Sequence, residues 1–290
     1  MIVLQLLLAV VFAVAAFIVA LLRFAFAMEP SGLFERGHPL TYALIAIFLV
    51  FVVMSVPLGK QLVGDFKLNT KKQLAPYHFG KAMSFVMMAC CVIYAGATVA
   101  ELMNKPFEAQ YFFLVVLPII MACAYLPIAV FFATGKQKPN TPLIALIPVV
   151  VSAILLIAEY VSTTQMATPA QYGFVIVTQL VNILFLMYTA KFLSGAKCSA
   201  QLIMTSGIAI VANAMGYLAP FIFAIASHTF DASSLKCFVG IAMCVYASAI
   251  SVFVRREIKT KDVVFEAPAE EKKQKDAEPK AEEVSENTEE

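Results

Sequence analysis

Two amides, Gln179 and Asn182, stand one helical turn apart in the apolar stretch VTQLVNILF, with Thr178 beside them. Asn213 and Tyr217, four apart, repeat the pattern in the next apolar run. Spacings of three and four place each set on one helix face. Buried amides and hydroxyls need partners, which gives the grouping two chemical uses. The side chains either satisfy one another across a pair of helices, or line a polar path or binding site for a small solute. Interhelical bonds of this kind average ~0.6 kcal/mol in membrane helices, so packing alone tolerates the pattern. Ala212 and Gly216 form a small-xxx-small step on the same run, which favours close helix approach.

Charges form a second group. Arg23, Glu101 and Glu159 each fall within a turn or two of the end of an apolar run. A charge at mid-bilayer costs about 2.5–3.5 kcal/mol on insertion scales, so such groups pair or snorkel to the headgroups. Their shared depth allows an Arg23–Glu101 or Arg23–Glu159 pair around an outer vestibule that binds a cation or a polar solute. Pro118, Pro127, Pro148 and Pro220 interrupt the runs. Each frees a carbonyl one turn earlier, as in the broken helices that line transporter sites.

Other chemistries have nothing to stand on. All four aspartates (Asp65, Asp231, Asp262, Asp276) and all three histidines (His38, His78, His228) read as connection or tail residues. That leaves no in-membrane carboxylate dyad, bis-histidyl haem or histidine-box iron site. Lys236, at the edge of the last run, is the one candidate for a Schiff base. The stretch TSGIA around Ser206 has no histidine in any span to activate the serine, and no glycine pattern cradles a phosphate. The six cysteines, Cys90, Cys91, Cys123, Cys198, Cys237 and Cys244, lack metal-ligand spacing and read as small buried hydrophobes. No metal and no other cofactor is expected, and the pattern argues against an enzyme.

Composition supplies the elements that must position these groups. The 290 residues are 61% hydrophobic and 14% charged, about half the charge of a soluble domain. Mean hydropathy is +0.84. The apolar residues come in blocks of ~20, the length of a helix that crosses the hydrocarbon core. Eight spans are expected, at about 3–26, 40–59, 82–103, 111–134, 142–163, 171–190, 201–226 and 235–254. The fold class is therefore all-α, a polytopic transmembrane bundle with short connections and antiparallel neighbours. Trp is absent, and Tyr42, Tyr111, Tyr160, Tyr172 and Tyr188 stand near span ends, where an interfacial belt belongs.

Lysine and arginine fix the expected orientation. Thirteen lie in the connections after the second, fourth and sixth spans and at the start of the tail, against four (Arg23, Arg36, Lys105, Lys236) on the other side. That asymmetry places both termini in the cytoplasm. The first run exceeds the ~7–15 residues of a signal-peptide core and lacks a basic start, so it reads as an uncleaved span despite the AFA motif at Ala25 to Ala27. Residues 1–254 form the membrane domain, and 255–290 form a Glu/Lys/Ala/Pro-rich tail expected to be disordered. The partner expected is the lipid bilayer, with Lys60, Lys67, Lys71, Lys72, Arg255 and Arg256 against anionic headgroups. No nucleic-acid partner is expected.

The segment LIALIPVVVSAILLIAEYVSTTQ, followed by VNILFLMYTAKFLSG and a further hydrophobic run, resembles a group of bacterial eight-helix membrane proteins without an assigned activity. The resemblance covers roughly residues 142–226. It implies the helix count and a bacterial inner membrane, and it implies no activity. Two functions stay open. One is a small-solute transporter or channel-like protein lined by Thr178, Gln179, Asn182, Asn213 and Tyr217. The other is a non-transporting sensor or scaffold that recruits a partner through a helix face or its acidic tail. A water-accessible polar face favours the first, and a sealed amide network the second.

Overall fold

The computed structural model describes residues 2–28, 35, 37–63, 67–68, 74–103, 109–164, 169–259 and 263–264. In chain order its helices are α1 (Ile2–Phe26), α2 (Pro39–Val63), α3 (His78–Leu102), α4 (Ala109–Thr134), α5 (Thr141–Thr164), α6 (Pro169–Leu193) and α7 (Ser199–Asn213). A π-helix, Ala214–Leu218, then joins α7 to α8 (Ala219–Ala226) in one continuous span, and short α9 (Ala232–Leu235) leads into α10 (Cys237–Lys259). Eight stretches, from Val3–Phe26 to Cys237–Ile258, are long and apolar enough to cross a membrane, close to where sequence expects them. The outward faces remain apolar: Leu7, Val53, Leu143 and Ile157 are exposed. Helices apolar on every side belong in lipid.

Three details depart from expectation. His78, read as a connection residue, opens α3. The last helix runs past Val254 to Lys259 and buries Glu257, because that turn still packs against the bundle. Beyond it, Val263–Val264 (β2) pairs antiparallel with Lys67–Leu68 (β1) from the α2–α3 connection. The other tail residues, 260–262 and 265–290, lie outside the described residues, as do Lys71, Lys72 and the side chains of Lys60 and Lys67.

Six spans close into a ring. α3 packs on α4, α4 on α5, α5 on α6, α6 on α7, α7 on α10, and α10 back on α3. α1 and α2 pair with each other and with α7. Small residues make these approaches close. Ala9, Ala13, Ala16 and Ala20 form a buried stripe along α1. On α1's neighbour α7, Gly207 leaves room beside Ala9 and Gln5. Between α7 and α10, Ser206 Oγ and Ser251 Oγ share a 2.6 Å hydrogen bond, and Cys244 Sγ donates to the Ile210 carbonyl at 3.3 Å.

At the lysine-rich end an aromatic cluster locks three of these helices together. The rings of Tyr77, Phe132 and Phe253 meet at centroid distances of 5.2 to 5.9 Å. Tyr77 donates its hydroxyl to the Ala249 carbonyl at 3.0 Å and its backbone N–H to Phe132 at 2.7 Å. Burial pushes that hydroxyl up to about 12, against the opposing charge of Arg256. Arg256 donates to the Pro76 carbonyl at 2.7 Å and lies 5.7 Å from the Tyr77 ring centroid.

The strap preceding α3 is held by Gly135, which accepts the Leu74 N–H at 2.9 Å and has φ +64°. A Cβ there would overlap the Leu74 carbonyl, whereas a Cβ at Gly96 meets nothing. Gly135→Ala is expected to cost about 2 kcal/mol or more through strain and loss of the strap. Gly96→Ala, in a helix interior, should be neutral or stabilising by up to about 1 kcal/mol. Thermal unfolding of the two variants in detergent, followed by circular dichroism, checks the contrast.

Candidate functional site

The six-helix ring encloses a cavity to which each of its spans contributes. Cys91 and Tyr94 come from α3, Pro118 and Met121 from α4, Ser152 and Leu155 from α5, and Gln179 and Asn182 from α6. Tyr217 comes from the π-helix, and Lys236, Val239 and Met243 from α10 and the residue before it. The lining runs two turns along α10, about 10 Å. The volume is about 60 Å³, and at ~10–15 Å³ per water centre that admits a few waters.

The five residues predicted as a polar lining divide between two tasks. Gln179, Asn182 and Tyr217 face the cavity. Thr178 and Asn213 are fully buried in the α6–α7 seam. Thr178 Oγ1 lies 2.7 Å from the Phe174 carbonyl and 3.0 Å from that of Ala212. Asn182 and Asn213 exchange hydrogen bonds: Asn182 Nδ2 donates at 3.0 Å, and Asn213 Nδ2 donates back at 2.7 Å. Asn213 also donates to the Ala209 carbonyl at 2.7 Å. Glue and lining coexist, with Asn182 serving both.

The π-helix is what allows this division. Pro220 has no N–H and its ring would crowd the Gly216 carbonyl. The chain responds with a wider turn, in which the Ala219 N–H reaches back five residues to Ala214. Glycines receive the side chains on both sides. A Cβ at Gly216 would overlap Thr178 Oγ1, and one at Gly240 would overlap the Tyr217 ring. Thr178 therefore reaches the α7 backbone, and Tyr217 lies flat along α10 beside the cavity.

Of the two charge pairs the sequence suggested, Arg23–Glu101 does not form. Glu101 pairs with Lys236, Nζ to Oε2 at 2.6 Å, both about a quarter exposed. Lys236 Nζ also stands 5.6 Å from the Tyr94 ring centroid. Glu101 Oε1 is buried, with no hydrogen-bond partner among the described residues. Arg23 is not part of this pair; α1 packs chiefly on α2 and α7. Its Nε donates to Thr41 Oγ1 at 3.0 Å and its guanidinium lies 5.0 Å from the Phe174 ring centroid. The space beside Arg23 shares no lining residue with the ring cavity. The Glu159 side chain lies outside the described residues.

Toward the lysine-rich end, aromatic rings follow the lining residues on three of the helices. Tyr125 is one turn beyond Met121, Tyr246 three residues beyond Met243, and Phe185 three beyond Asn182. Tyr246 meets Tyr125 edge-on at 5.7 Å and Phe185 at 6.1 Å, and all three are buried. The Tyr125 hydroxyl has no hydrogen-bond partner among the described residues.

Sequence reading missed Tyr94, Ser152 and the pairing of Lys236. Lys236 and Glu101 share an end of the bundle and carry opposite charge, a signal that was present; Tyr94 and Ser152 carried none. No protein-family model, curated protein or solved structure matches the chain.

The reciprocal Asn182–Asn213 bond predicts a coupled pair. Asn182→Ala and Asn213→Ala should each destabilise by about 1–2 kcal/mol, and the double variant by less than their sum, with a coupling of about 1 kcal/mol. Unfolding in mixed micelles, run as a double-mutant cycle, measures that coupling.

Proposed function

We propose that the protein passes a small polar solute across its membrane through the cavity of the six-helix ring. The observation that carries this reading is the lining itself: every span of the ring supplies a residue to one shared space, and polar side chains are among those that face it. Gln179, Tyr217 and Ser152 offer donors and acceptors there. At the mouth, Lys236 and Glu101 cancel each other's charge, which suits an uncharged polar solute. The excess of lysine and arginine at the opposite end supports an outward-facing mouth and a cytoplasmic aromatic floor. The space as it stands has room for a few waters, so a larger solute requires Tyr125, Tyr246 and Phe185 to part.

Thiol accessibility tests the reading. With the six native cysteines replaced, Gln179→Cys and Ser152→Cys are probed in intact membranes with a membrane-impermeant maleimide. Labelling at both is expected, with none at Leu180→Cys and Leu184→Cys on the exposed face of α6. In proteoliposomes, Tyr125→Ala is expected to raise the permeability to urea severalfold. Absence of labelling from either side, with unchanged urea flux, would overturn transport and leave a sealed bundle that acts through a partner.

A further inference from the structure

We propose that a second, larger cavity is the binding site for one anionic phospholipid. It lies between α4 and α5 at the lysine-rich end and holds about 470 Å³, within the ~300–1,000 Å³ range of small-molecule sites. Leu126, Pro127, Val130 and Ile144 form its apolar wall, and Lys136 and Lys138 stand at its mouth. Leu126 and Val130 are 48% and 40% exposed. Both belong to the span Phe113–Thr134, so the wall sits at hydrocarbon depth, whereas the lysines fall between that span and Thr141–Ala158.

The mouth is built, not a loose fringe of charge. Gly135, at positive φ, turns the chain out of α4. Between the two lysines, Gln137 Nε2 donates to the Leu193 carbonyl and pins the loop to the end of α6. Pro127 removes one N–H from the wall and frees the carbonyl a turn earlier. Neither lysine ammonium meets an acidic partner among the described residues. Two uncompensated cations above an apolar trough ask for a molecule that joins an anion to a hydrocarbon chain. Basic pockets between spans are a recurring headgroup site. The acidic stretch 266–290 supplies charge but, beyond alanine and proline, a single apolar side chain, Val284. Inorganic phosphate supplies only the anion, and a zwitterionic lipid supplies the chains without the net charge.

The full chain, purified in non-ionic detergent, is titrated with phosphatidylglycerol, phosphatidylcholine and inorganic phosphate, and bound lipid is counted by native mass spectrometry. One tight equivalent of phosphatidylglycerol is expected, with phosphatidylcholine at least about tenfold weaker, one ~1.4 kcal/mol step. K136Q/K138Q should weaken phosphatidylglycerol by about 25-fold, about fivefold for each lysine near the surface. K191Q/K197Q removes the same charge at the same end and should leave the affinity within about twofold, the scatter of a surface charge change. Ile144→Trp, which fills the trough and keeps both lysines, should weaken it as well. The comparison of the two lipids on the unmodified chain stands even where Ile144→Trp fails to fold. Equal binding of the two lipids, equal loss in both lysine pairs, or displacement of the lipid by millimolar phosphate would each overturn the proposal. So would tighter lipid binding after removal of residues 266–290, which would make the tail the occupant.

Discussion

Hydrocarbon forms no hydrogen bonds, so every polar atom inside the spans must be met by the protein or by trapped water. The bundle meets this demand mostly in its seams. Asn182 with Asn213, Thr178 with the Ala212 carbonyl and Ser206 with Ser251 each join two helices, and Tyr77 ties the start of α3 to the Ala249 carbonyl. Small residues decide where such bonds can form, because a side-chain hydroxyl reaches a neighbouring backbone only where no Cβ intervenes. Gly216 is that opening for Thr178. Within the ring, the lining of the central cavity is where pairwise seams give way to a common space.

The same demand separates what was legible in the sequence from what was not. Block length and hydropathy located the eight spans, because a helix must be about as long as the hydrocarbon is thick. Helical spacing placed Thr178, Gln179 and Asn182 on one side of α6, and Asn213 and Tyr217 near them on the following span. Spacing could not separate the residues that bond one another from those that face open space, since a shift of one residue on a helix changes its direction by about 100°. Gln179 and Thr178 are adjacent in sequence and part company for that reason. The Lys236–Glu101 pair required knowing that α10 closes against α3, a contact between residues 135 positions apart. Arg23 and Glu101 were expected at one depth and have different partners, Thr41 and Lys236, since depth is a property of one helix and adjacency is a property of the ring.

The π-helix shows how one imino acid can shape a site. Pro220 cannot continue a regular α-helix without crowding Gly216, and the wider turn that follows re-aims the residues just before it. Tyr217 gains its place over Gly240 in this way. Sequence gives the proline and both glycines, but the direction of the widened turn emerges only once α6, α7 and α10 are packed together.

Gln5 on α1 donates to the Ile203 carbonyl on α7 across 198 positions of sequence, and this has a consequence for how the chain is made. Synthesis runs from the N-terminus at about 5–20 residues per second, so α1 and α2 enter the bilayer roughly ten seconds or more before the helix they pack against exists. The Arg23–Thr41 bond and the Phe12–Phe51 ring contact are among the contacts that join these two helices to each other. The ring itself stays open until α10, the eighth of these spans, arrives to seal the gap between α7 and α3. Assembly of this protein is thus ordered by its own connectivity, and a ribosome stalled before α10 would leave in the membrane an unclosed arc with its polar edge turned toward lipid.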